Sequence, residues 1–265
     1  MNKKISIIGG GNLGTAIAHG LINSGFSQAS NIMVTRRNVR TLAALEAKGV
    51  VVSDDNRAAL DFADIQILAV KPFQVIQIIE ELKDKLDPSR HLLISVITGI
   101  TIENLLAAAG KKMSVIRAMP NTAIAIQESM TCLSAQGVKK EDIEFAGSMF
   151  STLGQIVWID EKLMEAATVL GACGTAYAMR YIRANIQGGI EIGFDATTAS
   201  LIAAQTVKGA AELLLKNGSH PEQEIDKVTT PKGCTIAGLN EMEHQGFSSS
   251  LIKGIITSYD KIAKD

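Results

Sequence analysis

The first half of the chain alternates short apolar runs with stretches of helical periodicity, and this order restricts the possible folds more than any other feature. The predicted strands are 3–8, 31–35, 50–53, 65–70, 92–97 and 114–119, with two further candidates at 130–135 and 155–159. The predicted helices between them include 14–23, 39–48, 73–86, 102–108 and 141–151. Continuous apolar runs are typical of strands buried on both faces, and such alternation is typical of βαβ units. We therefore expect an α/β fold with a doubly wound parallel sheet.

The second half changes character near residue 161, where it becomes rich in Ala, with Leu, Ile and Met at helical spacing. The predicted helices here are 161–185, 196–216, 221–228, 234–244 and 247–264. Several are apolar around most of their circumference, and such a helix needs to be buried. In a domain of roughly 100 residues a partner subunit can supply the cover, although an intrachain bundle is the alternative. We predict two domains, 1–160 and 161–265, the second an all-α dimerisation domain.

The charge balance and the cysteines exclude several classes of protein. With 26 Lys and Arg against 27 Asp and Glu, the chain offers no electrostatic case for binding nucleic acid or an anionic membrane. The longest apolar stretch, near 166–179, is shorter than the roughly 20 residues of a membrane span. Three cysteines at long spacings indicate neither a disulfide framework nor a zinc cluster. We expect a cytoplasmic protein without a metal site.

A glycine-rich turn directly follows the first predicted strand and opens a helix. Its sequence, Gly-Gly-Gly-Asn-Leu-Gly at 9–14, fits G-x-G-x-x-G. In this pattern Gly9 permits the tight turn, Gly11 lets the backbone approach a pyrophosphate, and Gly14 lets the helix pack closely on the strand. The helix N-terminus then faces the phosphates. The turn and its βαβ position predict a Rossmann-type dinucleotide-binding domain.

The end of the second strand indicates which dinucleotide is bound. An NAD site usually has an acidic residue about 20 residues after the glycines. Here the strand ends in Thr35-Arg36-Arg37, without an acid. Two guanidinium groups suit a 2′-phosphate, because the planar fork pairs with phosphate oxygens. We therefore predict NADPH as the cofactor, with NADH bound more weakly; two solvated loop arginines are the alternative.

Several further segments carry a more specific pattern than the glycine turn. They are 69–72 (Ala-Val-Lys-Pro), Ser95 with Gly99-Ile100, 117–122 (Arg-Ala-Met-Pro-Asn-Thr), 171–177 (Gly-Ala-Cys-Gly-Thr-Ala-Tyr), 205–211 (Gln-Thr-Val-Lys-Gly-Ala-Ala) and 228–239 (Val-Thr-Thr-Pro-Lys-Gly-Cys-Thr-Ile-Ala-Gly-Leu). In order and spacing, over nearly the whole chain, they resemble the landmarks of the pyrroline-5-carboxylate reductases. The Met-Pro-Asn-Thr segment and the Pro-x-Gly-x-Thr-Ile loop are the most specific.

The resemblance implies NADPH-dependent reduction of 1-pyrroline-5-carboxylate to L-proline, the last step of proline biosynthesis. It also implies a helical domain that interlocks in a homodimer, often within a ring of dimers. The implied cofactor contacts are Gly9, Gly11, Asn12, Leu13, Gly14, Thr35, Arg36, Arg37, Asn56, Ala69, Val70, Lys71, Pro72, Val96 and Ile97. The implied substrate contacts are Glu161, Thr230, Gly233, Cys234 and Thr235.

The segment 230–235 also has a physical reading of its own. It precedes a helical pattern, Thr230 suits an N-cap, and Pro231 suits a first helical turn. Backbone N–H groups and the Thr235 hydroxyl at a helix start can bind a carboxylate, although a helix cap without a ligand is the alternative. The four histidines form no dyad or metal pattern. Because an imine can arrive protonated, catalysis then rests on positioning by Thr235 and its neighbours and on the cofactor.

Two other functions remain open. A β-hydroxyacid dehydrogenase would also combine a Rossmann domain with helices, but its lysine is missing from the first long helix of the second half, where Arg180 and Arg183 occur. A non-catalytic NADPH-binding protein is the other alternative. It is motivated by departures from the family's usual residues at Lys232, Cys234 and 171–177.

Overall fold

The computed structural model describes residues 3–262, which form two compact units. The first unit runs to Ala172 and includes Ile262, and the second unit comprises Cys173–Lys261. The predicted domain boundary lies after residue 160, whereas residues 161–172 pack with the first unit.

An eight-stranded sheet forms the centre of the first unit. Its strands are β1 (Ile5–Ile8), β2 (Ile32–Thr35), β3 (Val51–Ser53), β4 (Ile65–Leu68), β5 (Leu92–Ser95), β6 (Ser114–Met119), β7 (Ser129–Gln136) and β8 (Gly154–Trp158). Their order is β3-β2-β1-β4-β5-β6-β7-β8, and the first six strands are parallel. The crossover between β3 and β4 reverses the direction of winding, so the predicted doubly wound α/β class is confirmed.

The sheet is not parallel throughout, because β7 runs antiparallel to β6 and β8 runs parallel to β7. The connection 120–128 contains only a 3₁₀ turn, Thr122–Ile126. A parallel crossover needs a dozen residues or more, so this short connection returns the chain in the opposite direction. The sequence analysis anticipated both strands but not this reversal.

Helices cover both faces of the sheet. They are α1 (Asn12–Asn23), α2 (Ala43–Glu46), α3 (Asn56–Phe62), α4 (Pro72–Leu82), α5 (Ile102–Ala109) and α6 (Lys140–Ser151). One hydrophobic cluster lies beneath α1, α2 and α6, and the other beneath α3, α4 and α5. Successive residues of β1 alternate between them, since Ile7 belongs to the first cluster and Ile8 to the second. This two-sided burial explains the continuous apolar runs in the sequence.

The helix predicted over 161–185 is not one continuous α-helix. A 3₁₀ turn (Glu161–Leu163), a short helix α7 (Met164–Ala167) and a π-helical turn (Thr168–Cys173) precede α8 (Gly174–Glu191). Gly171 and Gly174 weaken helix propensity here. The Thr168 hydroxyl also bonds the Met164 carbonyl oxygen, at 2.9 Å. Single-turn π segments are frequent at functional sites.

The second unit contains α8 and four further helices: α9 (Ala196–Asn217), α10 (Pro221–Lys227), α11 (Cys234–His244) and α12 (Phe247–Ile262, whose last residue belongs to the first unit). The last predicted helix extends to Lys264, so its final residues lie outside the described part of the chain. Gly189 lets α8 pack closely on α9, because an added Cβ would lie 3.2 Å from that of Ala199, a tight contact. No helix within residues 3–262 combines the length and apolarity needed to cross a membrane.

Candidate active site

A cavity of about 1020 Å³ lies in the first unit at the carboxyl ends of the parallel strands. Its lining includes every predicted cofactor contact except Gly14. These residues come from five separate places in the sequence: the glycine turn, the end of β2, the start of α3, the turn after β4 and the turn after β5. Ligands of open α/β sheets bind at this edge, outside the point where the strand order reverses.

The glycine turn has the geometry that a dinucleotide phosphate needs. Gly9 has a φ of +114°, and its N–H donates to the Thr35 carbonyl oxygen at 3.1 Å. A Cβ on Gly11 would meet nothing within 4 Å, so the backbone is open to the cavity there. Gly11 is also the N-cap of α1, and no side chain among the described residues caps this helix. An uncapped, open helix start leaves N–H donors for an anion.

Gly14 lies beneath this turn rather than in the cavity wall. A Cβ at this position would stand 2.0 Å from the Gly9 carbonyl oxygen and 3.2 Å from Cγ2 of Ile7. Real atoms do not approach so closely, so any larger residue would move the turn. The role of Gly14 is therefore to allow contact between helix and strand, as the glycine pattern predicts.

The two arginines after β2 have different surroundings. Arg36 donates from Nη1 to the Gly10 carbonyl oxygen at 2.8 Å and so braces the glycine turn. Arg37 is exposed and lines the cavity. Beside them the Thr35 hydroxyl donates to Oδ1 of Asn56 at 2.6 Å, which fixes the start of α3. This end of the cavity therefore carries two cations, one of them holding the phosphate turn in shape.

The opposite end of the cavity is formed by the turns after β4 and β5. It includes Lys71 and Pro72, which start α4, and Val96, Ile97 and Thr98. If the glycine turn holds a pyrophosphate and Arg37 faces the adenosine end, the nicotinamide lies toward β5. The next strand, β6, ends at the same edge, and the Thr98 hydroxyl contacts Sδ of Met119 at 4.0 Å.

Sequence reasoning missed several residues of this cavity. They are Asn38, Asp54, Gln74, Gln77, Ile78, Glu81 and Thr98. The rule that ligands lie at the carboxyl ends of strands would have found Asp54 after β3 and Thr98 after β5. The residues of α4 recur at helical spacing along one face, so the same periodicity that identified the helix could have found them.

The predicted substrate loop lies in the second unit, between α10 and α11. Its N-cap is Gly233 rather than Thr230, and Gly233 N–H donates to the Thr230 carbonyl oxygen at 2.9 Å. Thr230 and Pro231 form the preceding turn, so the interpretation of Thr230 as the N-cap was wrong. Gly233 has no side-chain cap, which leaves the first N–H groups of α11 available. Thr235 lies half-buried in that first turn, and Cys234 is exposed.

Lys232 has a left-handed backbone, with φ of +61°. A residue with a Cβ loses roughly 1–2 kcal/mol in this conformation, whereas glycine adopts it freely. A glycine at this position would form the same turn without strain. The departure at Lys232 therefore strains the loop but keeps its turn.

Glu161, the remaining predicted substrate contact, belongs to the first unit. Its Oε1 accepts from the Ile102 N–H at 2.7 Å and from Nη1 of Arg117 at 3.2 Å. Both contacts lie within the first unit, and the predicted loop 230–235 lies in the second. The structure thus brings the cofactor contacts together and engages Glu161 elsewhere.

Two family models match this chain, one in each half. The family model "Pyrroline-5-carboxylate reductase dimerisation" matches residues 161–265. The family model "NADP oxidoreductase coenzyme F420-dependent" matches residues 4–99. A crystal structure of Plasmodium falciparum pyrroline carboxylate reductase with NADP bound is similar with a TM-score of 0.88 at 26% identity, covering 98% of this chain and 97% of the other.

Two curated relatives from Dictyostelium discoideum match over almost the whole chain. Pyrroline-5-carboxylate reductase 1 is 45% identical over 98% of this chain, which spans 49% of that relative's length. Pyrroline-5-carboxylate reductase 2 is 43% identical over 99% of this chain and 93% of its own length. The resemblance predicted from the sequence is confirmed: the chain belongs to the pyrroline-5-carboxylate reductase family.

Proposed function

We propose that the protein reduces the C=N bond of 1-pyrroline-5-carboxylate with NADPH to give L-proline, the last step of proline biosynthesis. The observation that carries this proposal is the convergence of five separate segments, selected from the sequence, on one cavity at the carboxyl edge of the sheet. Family membership and the NADP bound to the Plasmodium falciparum relative support it.

The residues of the cavity fit a dinucleotide with a 2′-phosphate. The open backbone at Gly11 and the uncapped start of α1 suit the pyrophosphate. The exposed guanidinium of Arg37 suits the 2′-phosphate, and Arg36 keeps the turn in place. Val96, Ile97 and Thr98 would hold the nicotinamide end. When bound, NADPH supplies the hydride.

The second unit would anchor the carboxylate of the imino acid. The N–H groups at the start of α11 and the Thr235 hydroxyl are donors at one helix N-terminus, which suits an anion. Thr230, Gly233 and Cys234 would shape the same loop. Glu161 is a weaker candidate for direct contact, because its Oε1 already accepts from Arg117 and Ile102.

Catalysis in this proposal depends on orientation rather than on a general acid. The ring nitrogen of a cyclic imine can arrive protonated, so that hydride addition yields the neutral secondary amine directly. Holding the carboxylate fixes which face of the C=N bond meets the cofactor. Such positioning can lower the barrier by several kcal/mol, on the order of 7–11 in favourable intramolecular cases.

We further propose a homodimer formed through the second unit, in the reducing cytoplasm. The family description of residues 161–265 as a dimerisation region supports the first point. All three cysteines are free, which is compatible with a reducing compartment. A ring of dimers would appear as a multiple of the dimer mass in solution.

Neither alternative function is favoured. The first long helix of the second unit, α8, contains no lysine, so a β-hydroxyacid dehydrogenase would lack its catalytic amine. The alternative of a binding protein without turnover is motivated by the altered residues of the loop 230–235. Lys232 nevertheless adopts the left-handed turn that a glycine would form, so this change leaves the loop's turn intact.

The proposal is tested by adding 1-pyrroline-5-carboxylate to the purified protein and following the loss of NADPH absorbance, with NADH in parallel. We expect NADPH consumption with stoichiometric L-proline, and slower consumption of NADH. Hydroxyisobutyrate with NADP serves as the control for the dehydrogenase alternative. Tight NADPH binding without any reduction of the imine would contradict the proposal.

A further inference from the structure

A buried arginine lies among apolar residues in the middle of β6. Arg117 of β6 is 1% exposed, and its register partners are Ser95 on β5 and Ser134 on β7. These three residues form a polar row across the sheet. The row lies outside the cofactor cavity and lacks a role in the proposed chemistry.

Two carboxylates of the residues after β8 neutralise Arg117. Its Nη1 donates to Oε1 of Glu161 at 3.2 Å, and its Nη2 donates to Oε1 of Glu165 at 3.1 Å. Glu161 also accepts the Ile102 N–H at the start of α5. We define residues 161–172 as the linking segment, since the second unit begins directly after it. Arg117 thus attaches the linking segment to β6 and, through Glu161, to α5.

The linking segment has a second attachment at its other end. Asn121 donates from Nδ2 to the Gly171 carbonyl oxygen, inside the π-helical turn, at 3.2 Å. The same side chain accepts from the Ala123 N–H and so shapes the turn that follows β6. That turn lies at the carboxyl edge, where Met119 contacts Thr98 of the cavity wall. The linking segment is therefore fastened at Arg117 and beside the nicotinamide end of the cavity.

Stability alone is a poor explanation for this arrangement. Replacing a buried ion pair by an apolar side chain of similar volume is often neutral or stabilising. Here Nε of Arg117 and Oγ of Ser95 also lack hydrogen-bond partners within residues 3–262. The two carboxylates are each 25% exposed, so water can solvate them if the cation is removed. Arg117 instead fixes the positions of the Glu161 and Glu165 carboxylates relative to β6.

We propose that Arg117 is a positioning residue that holds the linking segment in place through Glu161 and Glu165. The other end of the linking segment, through the bond between Gly171 and Asn121, then keeps the turn after β6 in register with the nicotinamide end of the cavity. This inference rests on the proposed reductase function. It assigns Glu161 to positioning rather than to direct substrate contact. Loss of the attachment would let the turn after β6 shift against the nicotinamide end of the cavity without changing the adenosine and phosphate contacts.

The test compares Arg117→Met and Arg117→Lys with the matched surface control Arg90→Met, whose partner Asp64 is solvent-exposed and which lies outside the cofactor cavity. We expect Arg117→Met to lower kcat for imine reduction about 10- to 100-fold, the scale of a misplacement near 1 Å. The dissociation constant for NADPH should stay within about twofold of the wild-type value. Arg117→Lys, which keeps the charge, should recover part of kcat, and Arg90→Met should change neither quantity.

Hydrogen exchange supplies a readout that does not depend on the reaction. With NADPH bound, amides of residues 164–173 should exchange faster in Arg117→Met, while those of the glycine turn stay protected. If the wild-type protein reduces no imine, the proposed function fails, and this exchange pattern still decides the inference. Unchanged kcat and exchange in Arg117→Met would overturn it, as would NADPH binding that weakens as much as kcat. If Arg117→Met does not fold, unchanged kcat and exchange in Arg117→Lys overturn it.

Discussion

The two units bury their apolar residues in opposite ways. In the first unit α1, α4 and α5 each pack an apolar stripe against the sheet, and each buries three apolar residues almost completely. In the second unit only Ala199 and Ala203 of α9 are buried among the described residues. Helical residues with substantial exposure there include Met179, Leu201, Ile202, Leu213, Leu215, Leu251, Ile252 and Ile256. The first unit completes its own core, whereas the second presents apolar surface of the kind that marks a protein interface.

The same contrast separates the two halves of the proposed site. The cavity with the cofactor contacts is built entirely from the first unit, on strands and helix starts that a packed core holds in place. The proposed carboxylate anchor lies on a loop of the second unit, whose exposed apolar helix surfaces a second copy would cover in the proposed dimer. Cofactor binding should therefore be robust to changes in assembly, and substrate binding should not.

The largest expected effect comes from charging the second unit's apolar surface. Leu201 in α9 is 72% exposed, and Leu201→Asp would bury an unpaired carboxylate in the proposed dimer, at roughly 3–5 kcal/mol. We expect sedimentation to show a shift to monomer with NADPH binding retained. Phe73→Asp in α4, at an 83% exposed position of the first unit, is the control and should leave the mass unchanged. If the Leu201→Asp variant is still a dimer, the exposed apolar surface around Leu201 is not the interface, and the contrast drawn between the two units is wrong.

A smaller effect is expected where the first unit's close packing is disturbed. Gly14→Ala would place a Cβ 2.0 Å from a backbone oxygen, so we expect a loss of about 3 kcal/mol in stability and a large loss of NADPH affinity. Gly11→Ala is the matched comparison, because its Cβ meets no protein atom within 4 Å. It should keep the melting temperature yet weaken NADPH binding. Equal melting temperatures for both variants would refute the packing role of Gly14.

Variants of the two arginines after β2 should distinguish the preference for NADPH over NADH from the integrity of the glycine turn. Arg37→Ala removes a charge-assisted contact worth about 2 kcal/mol, so KM for NADPH should rise roughly 30-fold while KM for NADH stays constant. Arg36→Ala also removes the bond to the Gly10 carbonyl oxygen, so both cofactors should bind more weakly. Steady-state kinetics with each cofactor distinguish these patterns. An unchanged NADPH to NADH ratio in both variants would mean that neither guanidinium meets the 2′-phosphate.

The smallest expected effect falls on the second unit's loop. Thr235→Ala removes one hydroxyl donor to a carboxylate, worth about 1.5 kcal/mol, and should raise KM for the imine roughly 10-fold. KM for NADPH should not change, because the cofactor cavity belongs to the first unit. Thr257→Ala, at an exposed helical position of α12, is the control. Wild-type KM for the imine in Thr235→Ala would place the anchor elsewhere.

Local pattern predicted the strands and the glycine turn well, because in the first unit each segment's periodicity agrees with its final packing. The sequence even located most of the cavity wall, since strand ends and helix starts meet at one edge of a parallel sheet. It did not predict the reversal of β7 or the broken helix after Glu161. Both depend on what a neighbouring segment supplies: a short connection after β6, and the Asn121 side chain at Gly171.

The role of Arg117 was likewise out of reach of single-sequence reasoning. A charged residue within Ser114–Met119 signals that a buried cation needs partners. Nothing in the spacing shows that those partners are Glu161 and Glu165, more than forty residues later. The loop around Gly233 shows a related limit, because its N-cap depends on the left-handed turn at Lys232.

The central claim is that hydride passes from the nicotinamide to the imine carbon, and transfer of an isotopic label tests it most directly. NADPH carrying deuterium on one face of the nicotinamide is incubated with the protein and 1-pyrroline-5-carboxylate, and the product is analysed by mass spectrometry and NMR. The account predicts L-proline with deuterium on Cδ, the ring CH2 carbon next to nitrogen and not the carbon that carries the carboxylate, from one face of the cofactor only. Bound NADPH with no label in any product would contradict it.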